Sequence, residues 1–255
     1  LALAELVYLA DTRISRIKHA EDSWTREVAL ELPVFNLEKW SPLGELFTQM
    51  LNFLTGDRWI VIFKKRRNIL SEDKMRKTKY DAVSLFSGGM DSLIGTINHL
   101  EQKHSVALIS HAGDGYTKDA QKSLYAEFKE RYPDITPSYF SLWMSFKKNI
   151  LLDGGIENST RSRSFLFIAF GIFALSGMAG VDVLQVPELG LPFSISNPYW
   201  NKTKGEMANE CLNKDFLCEV IKTSTSCSSP QKARWSGLPS QHCGYCVPCL
   251  IRRAA

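Results

Sequence analysis

The sequence predicts an α/β protein: a parallel sheet with helices on both faces, a small α/β unit ahead of it, and a cysteine-rich segment behind it. Three observations carry this reading. From Tyr80 onward, short apolar runs alternate with longer amphipathic ones, the pattern of strands joined through helices. A glycine-rich turn, Ser87-Gly88-Gly89-Met90-Asp91-Ser92, separates the first of those strands from the first of those helices. Near the C-terminus three cysteines fall at C-x-x-C-x-x-C spacing.

In chain order, Leu3, Leu6, Val7, Ala10, Ile14 and Ile17 are spaced for one face of a helix. Val28, Leu30, Leu32 and Val34 alternate with Ala29, Glu31 and Pro33 as a half-buried strand does. A helix is expected behind a Ser41 cap, with Pro42 in its first turn, apolar positions from Leu43 to Leu54, and Gly56 at its end. Trp59 to Phe63 reads as a strand. The basic stretch from Lys64 to Lys79 lacks interleaved aromatics before Tyr80, so it reads as a solvated linker and not as a nucleic-acid surface. Strands then follow at 82–86, 106–109, 138–142 and 181–186, with helices after the glycine turn, over 118–131 and from about Ser164. The expected organisation is an N-terminal α/β unit with a basic linker (1–79), an α/β domain (80–225) and a cysteine segment (226–255).

The 255 residues, 44% hydrophobic and 23% charged, suit a folded protein of one large or two modest domains. Thirty-one Lys and Arg against 27 Asp and Glu leave a surplus too small to require nucleic acid. The most apolar stretch, Phe165 to Val183, is short for a bilayer and broken by small residues, so a buried helix is expected and no membrane. No signal peptide is read, and the cysteines are spaced for a metal; a cytoplasmic location is the expectation.

The glycine turn sits where parallel sheets build ligand sites, after a strand and before a helix. Its glycines let backbone N–H groups face an anion, the following helix adds its positive end, and Ser87 and Ser92 can donate to phosphate oxygens. Asp91 cannot donate when ionised, which leaves helix capping or a magnesium ion. No Gly-Lys-Ser/Thr follows, so it is not a Walker loop. The hexapeptide resembles the S-G-G-x-D-S signature of the PP-loop ATP pyrophosphatases, an adenine nucleotide α-hydrolase-like fold. That resemblance implies cleavage of ATP between the α and β phosphates, with Ser87, Gly88, Gly89, Met90, Asp91 and Ser92 holding pyrophosphate.

Cations must meet the charge that builds on a departing pyrophosphate. Arg161 and Arg163 stand at the amino end of the apolar helix, where they either bind anion or simply cap the segment. Lys204 is more telling, because Thr203 and Glu206 have capping-box spacing and put it at a helix start. Asp91, Lys204 and Arg163 are the candidate catalytic residues; Arg161 and Glu188, which follows the last strand, are candidate nucleotide contacts. Cys243, Cys246 and Cys249, with Cys227 upstream, suit a closed, structural zinc site, the alternatives being an iron–sulfur cluster or a redox pair. His242 is a substitute ligand that the fourth cysteine makes unnecessary. Cys211 and Cys218 read as buried thiols of the helix after Lys204.

Together S-G-G-M-D-S, T-K-G-E and C-G-Y-C-V-P-C-L-I-R-R look like the 7-cyano-7-deazaguanine synthase family, QueC, over roughly Tyr80 to Arg253. The resemblance implies ATP-dependent adenylation of 7-carboxy-7-deazaguanine, attack by ammonia and dehydration to a nitrile, with Mg2+ accompanying ATP and structural Zn2+. Two features differ: the extra N-terminal unit, and Ser110-His-Ala-Gly-Asp-Gly115 where the synthases show an aspartate–tyrosine–glycine–glutamine run. Both features, with S-T-R-S-R-S-F-L-F and C-V-P-C-L-I-R-R-A-A, look more like the QueC-like proteins of bacterial anti-phage systems such as Qat. An acyl-adenylate reacts with whichever amine is held beside it, so the acceptor is either ammonia or the amino group of a partner protein from the same defence operon. A homodimer is the alternative assembly. A sulfur-transferring tRNA-modifying enzyme and a non-catalytic nucleotide-binding scaffold are the rival readings.

Overall fold

A computed structural model of the chain describes residues 1–67, 78–151, 155–187, 197–199, 201–227, 242–243 and 246–254. They group into two compact units, one drawn from residues 1–76 and 145–169 and the other from 77–144 and 170–255. Both are α/β with parallel sheets.

The first unit opens with α1 (Ala2–Arg13) and α2 (Arg16–His19), then β1 (Glu27–Val34). Next come α3 (Leu37–Trp40), a 3-10 turn (Ser41–Leu43), α4 (Gly44–Thr55) and β2 (Arg58–Lys65). The expected Ser41 cap is replaced. Asn36 caps α3 by accepting from the Lys39 amide at 3.0 Å, and helical backbone runs through the 3-10 turn into α4. Pro42 fits because it lies in the first positions of that turn, which need no donor. Gly56 does end the element, in the left-handed conformation at φ 72°. β1 and β2 pair in parallel from Glu27↔Arg58 to Val34↔Lys65. Leu3, Val7, Leu51, Trp59, Val61 and Phe63 form the core between helices and sheet.

This unit also buries four charges. Arg26 donates to Asp57 through Nε (3.1 Å) and Nη2 (2.5 Å), Arg16 reaches Asp57 at 2.9 Å, and Asp11 lies 3.3 Å from Arg26. All four side chains are almost wholly buried, so the two-against-two balance is what makes the cluster tolerable. Burial pushes the Asp57 carboxyl up; the Arg26 hydrogen bonds and the charges of Arg26 and Arg16 outweigh it and hold the group below its ordinary 3.8. Asp11 also accepts from the Ser159 and Ser162 hydroxyls at 2.9 and 2.8 Å, which anchors residues 155–162 to α1.

The second unit follows the expected alternation: β3 (Ala82–Leu85), α5 (Met90–Glu101), β4 (Val106–Ala112), α6 (Gly115–Arg131) and β5 (Ser138–Trp143). The boundary between units falls within α7 (Arg163–Ser176), and β6 (Leu184–Gln185) completes a four-stranded parallel sheet in the order β5-β4-β3-β6. β6 keeps only two residues of the expected 181–186 strand; Asp182 and Val183 before it are exposed. Ala82 and Phe86 pack with Leu93, Ile97, Leu124, Phe128, Met207 and Leu217. On the opposite face of β3, Gly171 lets the α7 backbone approach the sheet, for a Cβ there would stand 2.7 Å from both Leu85 and Leu184.

The chain then forms α8 (Lys204–Asn209), α9 (Lys214–Val220) and α10 (Val247–Ala254). The single helix read through Cys211 and Cys218 is two. Asn213 starts α9 by accepting from the Phe216 amide, and the intervening Leu212 amide donates to Asn98, so Cys211 is buried while Cys218 is exposed. Among the described residues no helix is long and apolar enough to cross a membrane.

Candidate functional site

Between β3 and α5 the backbone must reverse direction in four residues, and Gly88 makes this possible with φ 82°. What holds the turn is Gln121 of α6, a fully buried side chain. Its carboxamide nitrogen donates toward three backbone carbonyls: Ser87 at 3.0 Å, His111 at 3.2 Å and Phe86 at 3.5 Å. A side chain at Gly88 would strike Gln121 Cγ at 3.0 Å. From the other side, the Thr225 amide donates to the Gly88 carbonyl at 2.7 Å. The carbonyls of the turn are thus engaged by protein.

The serines differ in their duties. Ser92 is buried and its hydroxyl donates to the Gly89 carbonyl at 3.0 Å. Ser87 Oγ lies 3.2 Å from Ser92 Oγ and accepts a long contact from the Gly89 amide at 3.3 Å. Asp91, in the first turn of α5, meets Lys204: the ammonium touches both carboxylate oxygens, at 2.6 and 2.7 Å, and each side chain is only 14% exposed. Lys204 is held there because Thr203 and Glu206 form both arms of the capping box that starts α8.

The turn, Asp91 and Lys204 line one cavity of about 340 Å³, together with Met90, Pro187, Thr225, Ser226, Pro248 and Ile251. Thr225 Oγ1 is buried beside the cavity with no hydrogen-bond partner among the described residues. A lysine ammonium, hydroxyls and the positive end of α5 around one space suit an anionic ligand.

Not every candidate joins this cavity. Arg161 is engaged inside the first unit, where its guanidinium donates to the Thr55 carbonyl and lies over the Trp24 ring, 5.1 Å from its centroid. Arg163 is half-buried at the start of α7. Glu188 lies outside the described residues. Asp114, in the Ser110–Gly115 run, caps α6, accepting from the Thr117 amide and hydroxyl at 2.8 Å each. Sequence reasoning missed Gln121, Thr225 and Ser226. Gln121 looks like any polar residue of an amphipathic helix, and Thr225-Ser226 is lost in the polar run before Cys227.

The Sγ atoms of Cys227, Cys243, Cys246 and Cys249 lie within 4.8 Å of one another. Cys246 Sγ and Cys227 Sγ are 3.8 Å apart, the separation expected of two thiolates about 2.3 Å from a shared tetrahedral ion. The set therefore fits a metal such as zinc. His242 stands beside it, its Nδ1 3.7 Å from Cys249 Sγ and its Nε2 3.0 Å from the Ser224 carbonyl. Nε2 donates to that carbonyl, which fixes the ring beside the cluster.

Fold and site together define an α/β protein with parallel sheets and a four-cysteine cluster able to hold a metal. No family model matches the chain, and no curated protein matches it either.

Proposed function

We propose that the chain is an ATP-dependent carbon–nitrogen ligase of the PP-loop, QueC-like type, which adenylates 7-carboxy-7-deazaguanine and passes the acyl group to an amine. The observation that supports it best is the meeting of Asp91 and Lys204 in the cavity lined by the Ser87–Ser92 turn. An S-G-G-x-D-S turn alone says only that anion binding is feasible; a lysine brought from 113 positions away to the same space supplies the cation that a departing pyrophosphate needs.

In the proposed reaction a carboxylate oxygen attacks the α phosphorus and pyrophosphate leaves, giving an acyl-adenylate. The amine nitrogen then attacks the acyl carbon, AMP leaves, and the nitrogen loses a proton. Ser87, Gly89 and Met90 cradle phosphate and Ser226 adds a hydroxyl, while Gly88 shapes the turn and Ser92, whose hydroxyl donates to the Gly89 carbonyl, braces it. Asp91 would hold the Mg2+ that accompanies ATP, while Lys204 turns from the carboxylate to phosphate. Arg161, Arg163 and Glu188 are assigned by their sequence positions alone, at the start of the apolar helix and after the last strand. Zn2+ on the four cysteines is structural, holding α10 with Pro248 and Ile251 at the cavity wall.

The acceptor proposed is a partner protein's amino group, in anti-phage defence. The test is pyrophosphate release with 7-carboxy-7-deazaguanine and control carboxylates, with and without ammonia, followed by the mass of the partner. Release only with the deazaguanine and added mass on the partner support the reading. Free nitrile beside an unmodified partner identifies an ordinary synthase, and no release with any carboxylate removes the ligase. Asp91→Ala abolishes turnover; unchanged turnover removes Asp91 from the mechanism.

A further inference from the structure

The two-stranded sheet of the first unit has two unequal edges. β2 and β1 exchange hydrogen bonds through alternate residues: the Arg58 amide donates to the Arg26 carbonyl at one end, and the Arg66 amide to the Val34 carbonyl at the other. That pattern turns Trp59 and Val61 to the outer edge of β2, and α4 closes it. Asn52 Oδ1 accepts from the Trp59 amide at 2.6 Å and Thr48 Oγ1 from the Val61 amide at 3.0 Å. Gly44 comes so close to the Val61 carbonyl that a Cβ there would be 3.0 Å from it. The same alternation turns the amides of Ala29 and Glu31 to the outer edge of β1, where no described residue accepts from them. Pro33, with no N–H to offer, ends the open stretch.

The two faces of β1 are as unlike as its edges. Val28, Leu30 and Leu32 pack against the core yet are only half-buried, whereas their direct partners in β2, Trp59, Val61 and Phe63, are buried. A strand laid beside β1 would cover them. On the other face Glu27, Ala29 and Glu31 are exposed, the two carboxylates at 77% and 54%. Their pairs with Arg58 and Lys64 are surface pairs and constrain little.

We propose that the open edge of β1 is a strand-addition site for a partner segment that alternates apolar and basic residues. Main-chain bonds to Ala29 and Glu31 would supply registration, the apolar side chains would cover Val28, Leu30 and Leu32, and the basic ones would face Glu27 and Glu31. A basic segment is favoured over a second copy of this chain paired about Ala29, which would set Glu27 opposite Glu31, and like charges directly opposite repel. A two-stranded sheet gains most from a third strand. The inference stands whether or not the chain turns over ATP, because its readout is peptide affinity.

The experiment uses a fluorescent peptide of alternating valine and lysine and its valine–glutamate counterpart, titrated with the full chain and followed by anisotropy. The lysine peptide binds and the glutamate peptide binds roughly tenfold or more weakly. Ala29→Pro removes an outward amide without touching the β1–β2 ladder, just as Pro33 already does, and weakens the lysine peptide roughly tenfold while circular dichroism is unchanged. Reversing Glu27 and Glu31 to lysine exchanges the preference. Binding that ignores Ala29→Pro or peptide charge overturns the proposal, as does the absence of binding by either peptide. Dimerisation lost on Ala29→Pro would make the occupant a second copy and overturn it equally.

Discussion

Replacing Gln121 by leucine tests whether the glycine turn is held from behind. The side chain is fully buried, its carboxamide nitrogen has two hydrogens, and its two good acceptors are the Ser87 and His111 carbonyls at 3.0 and 3.2 Å. Leucine fills similar space but donates nothing, so both carbonyls lose a partner that water cannot readily replace. Two lost bonds, each costing about 1–2 kcal/mol with the desolvation of its acceptor, predict about 2–4 kcal/mol of destabilisation. In urea that is a fall of about 1–2 M in the midpoint of the second unit at an unchanged slope. Gln121→Glu is worse at neutral pH, because a carboxylate would face carbonyl oxygens and must take up a proton. Its folded-state pKa is raised, so its stability is retained below the ordinary carboxylate value and lost as pH rises from there through the raised folded value. A change below about 0.5 kcal/mol for Gln121→Leu would refute the argument and leave the Thr225 amide as the support of the turn.

Further predictions follow the same reasoning. Gly171→Ala places a methyl 2.7 Å from Leu85 and Leu184 and lowers stability by about 1–3 kcal/mol, read as a fall in thermal midpoint. Cys246→Ser removes one of four clustered ligands, so metal content measured by mass spectrometry falls from one ion per chain toward none, and chelation of the parent protein lowers its melting point. Because the Asp57 carboxyl sits below its ordinary 3.8, the unfolded chain binds more protons in acid. The stability it contributes is present above 3.8 and is lost as pH falls through the folded value. Asp57→Asn flattens that acid limb in urea titrations and costs about 3–5 kcal/mol at neutral pH, since Arg26 and Arg16 are left buried with too little negative charge.

Much of this fold is legible in one dimension, because the features that announce it are local. The strand at Glu27–Val34 is written in its alternation, α5 in Leu93, Ile97 and Leu100, and the start of α8 in Thr203 and Glu206 three residues apart. The cysteine cluster is legible for a similar reason: three of its four thiols lie within seven residues, at a spacing that suits a shared metal. Where a boundary depends on which of two caps wins, as between Asn36 and Ser41, or at Asn213, local pattern gave the wrong helix start or missed a break.

By itself the sequence determined the α/β class, the parallel alternation after Tyr80, the glycine turn and the four thiols. Only the tertiary structure decided that Lys204 lies on Asp91, that Gln121 braces the turn, that residues 155–162 return to Asp11, and that α4 closes the edge of β2 while no described residue closes that of β1. The physical reason is common to all four. Each depends on a contact between residues far apart in the chain or on a hydrogen bond left unmade, and neither leaves a periodicity or spacing that sequence alone can carry.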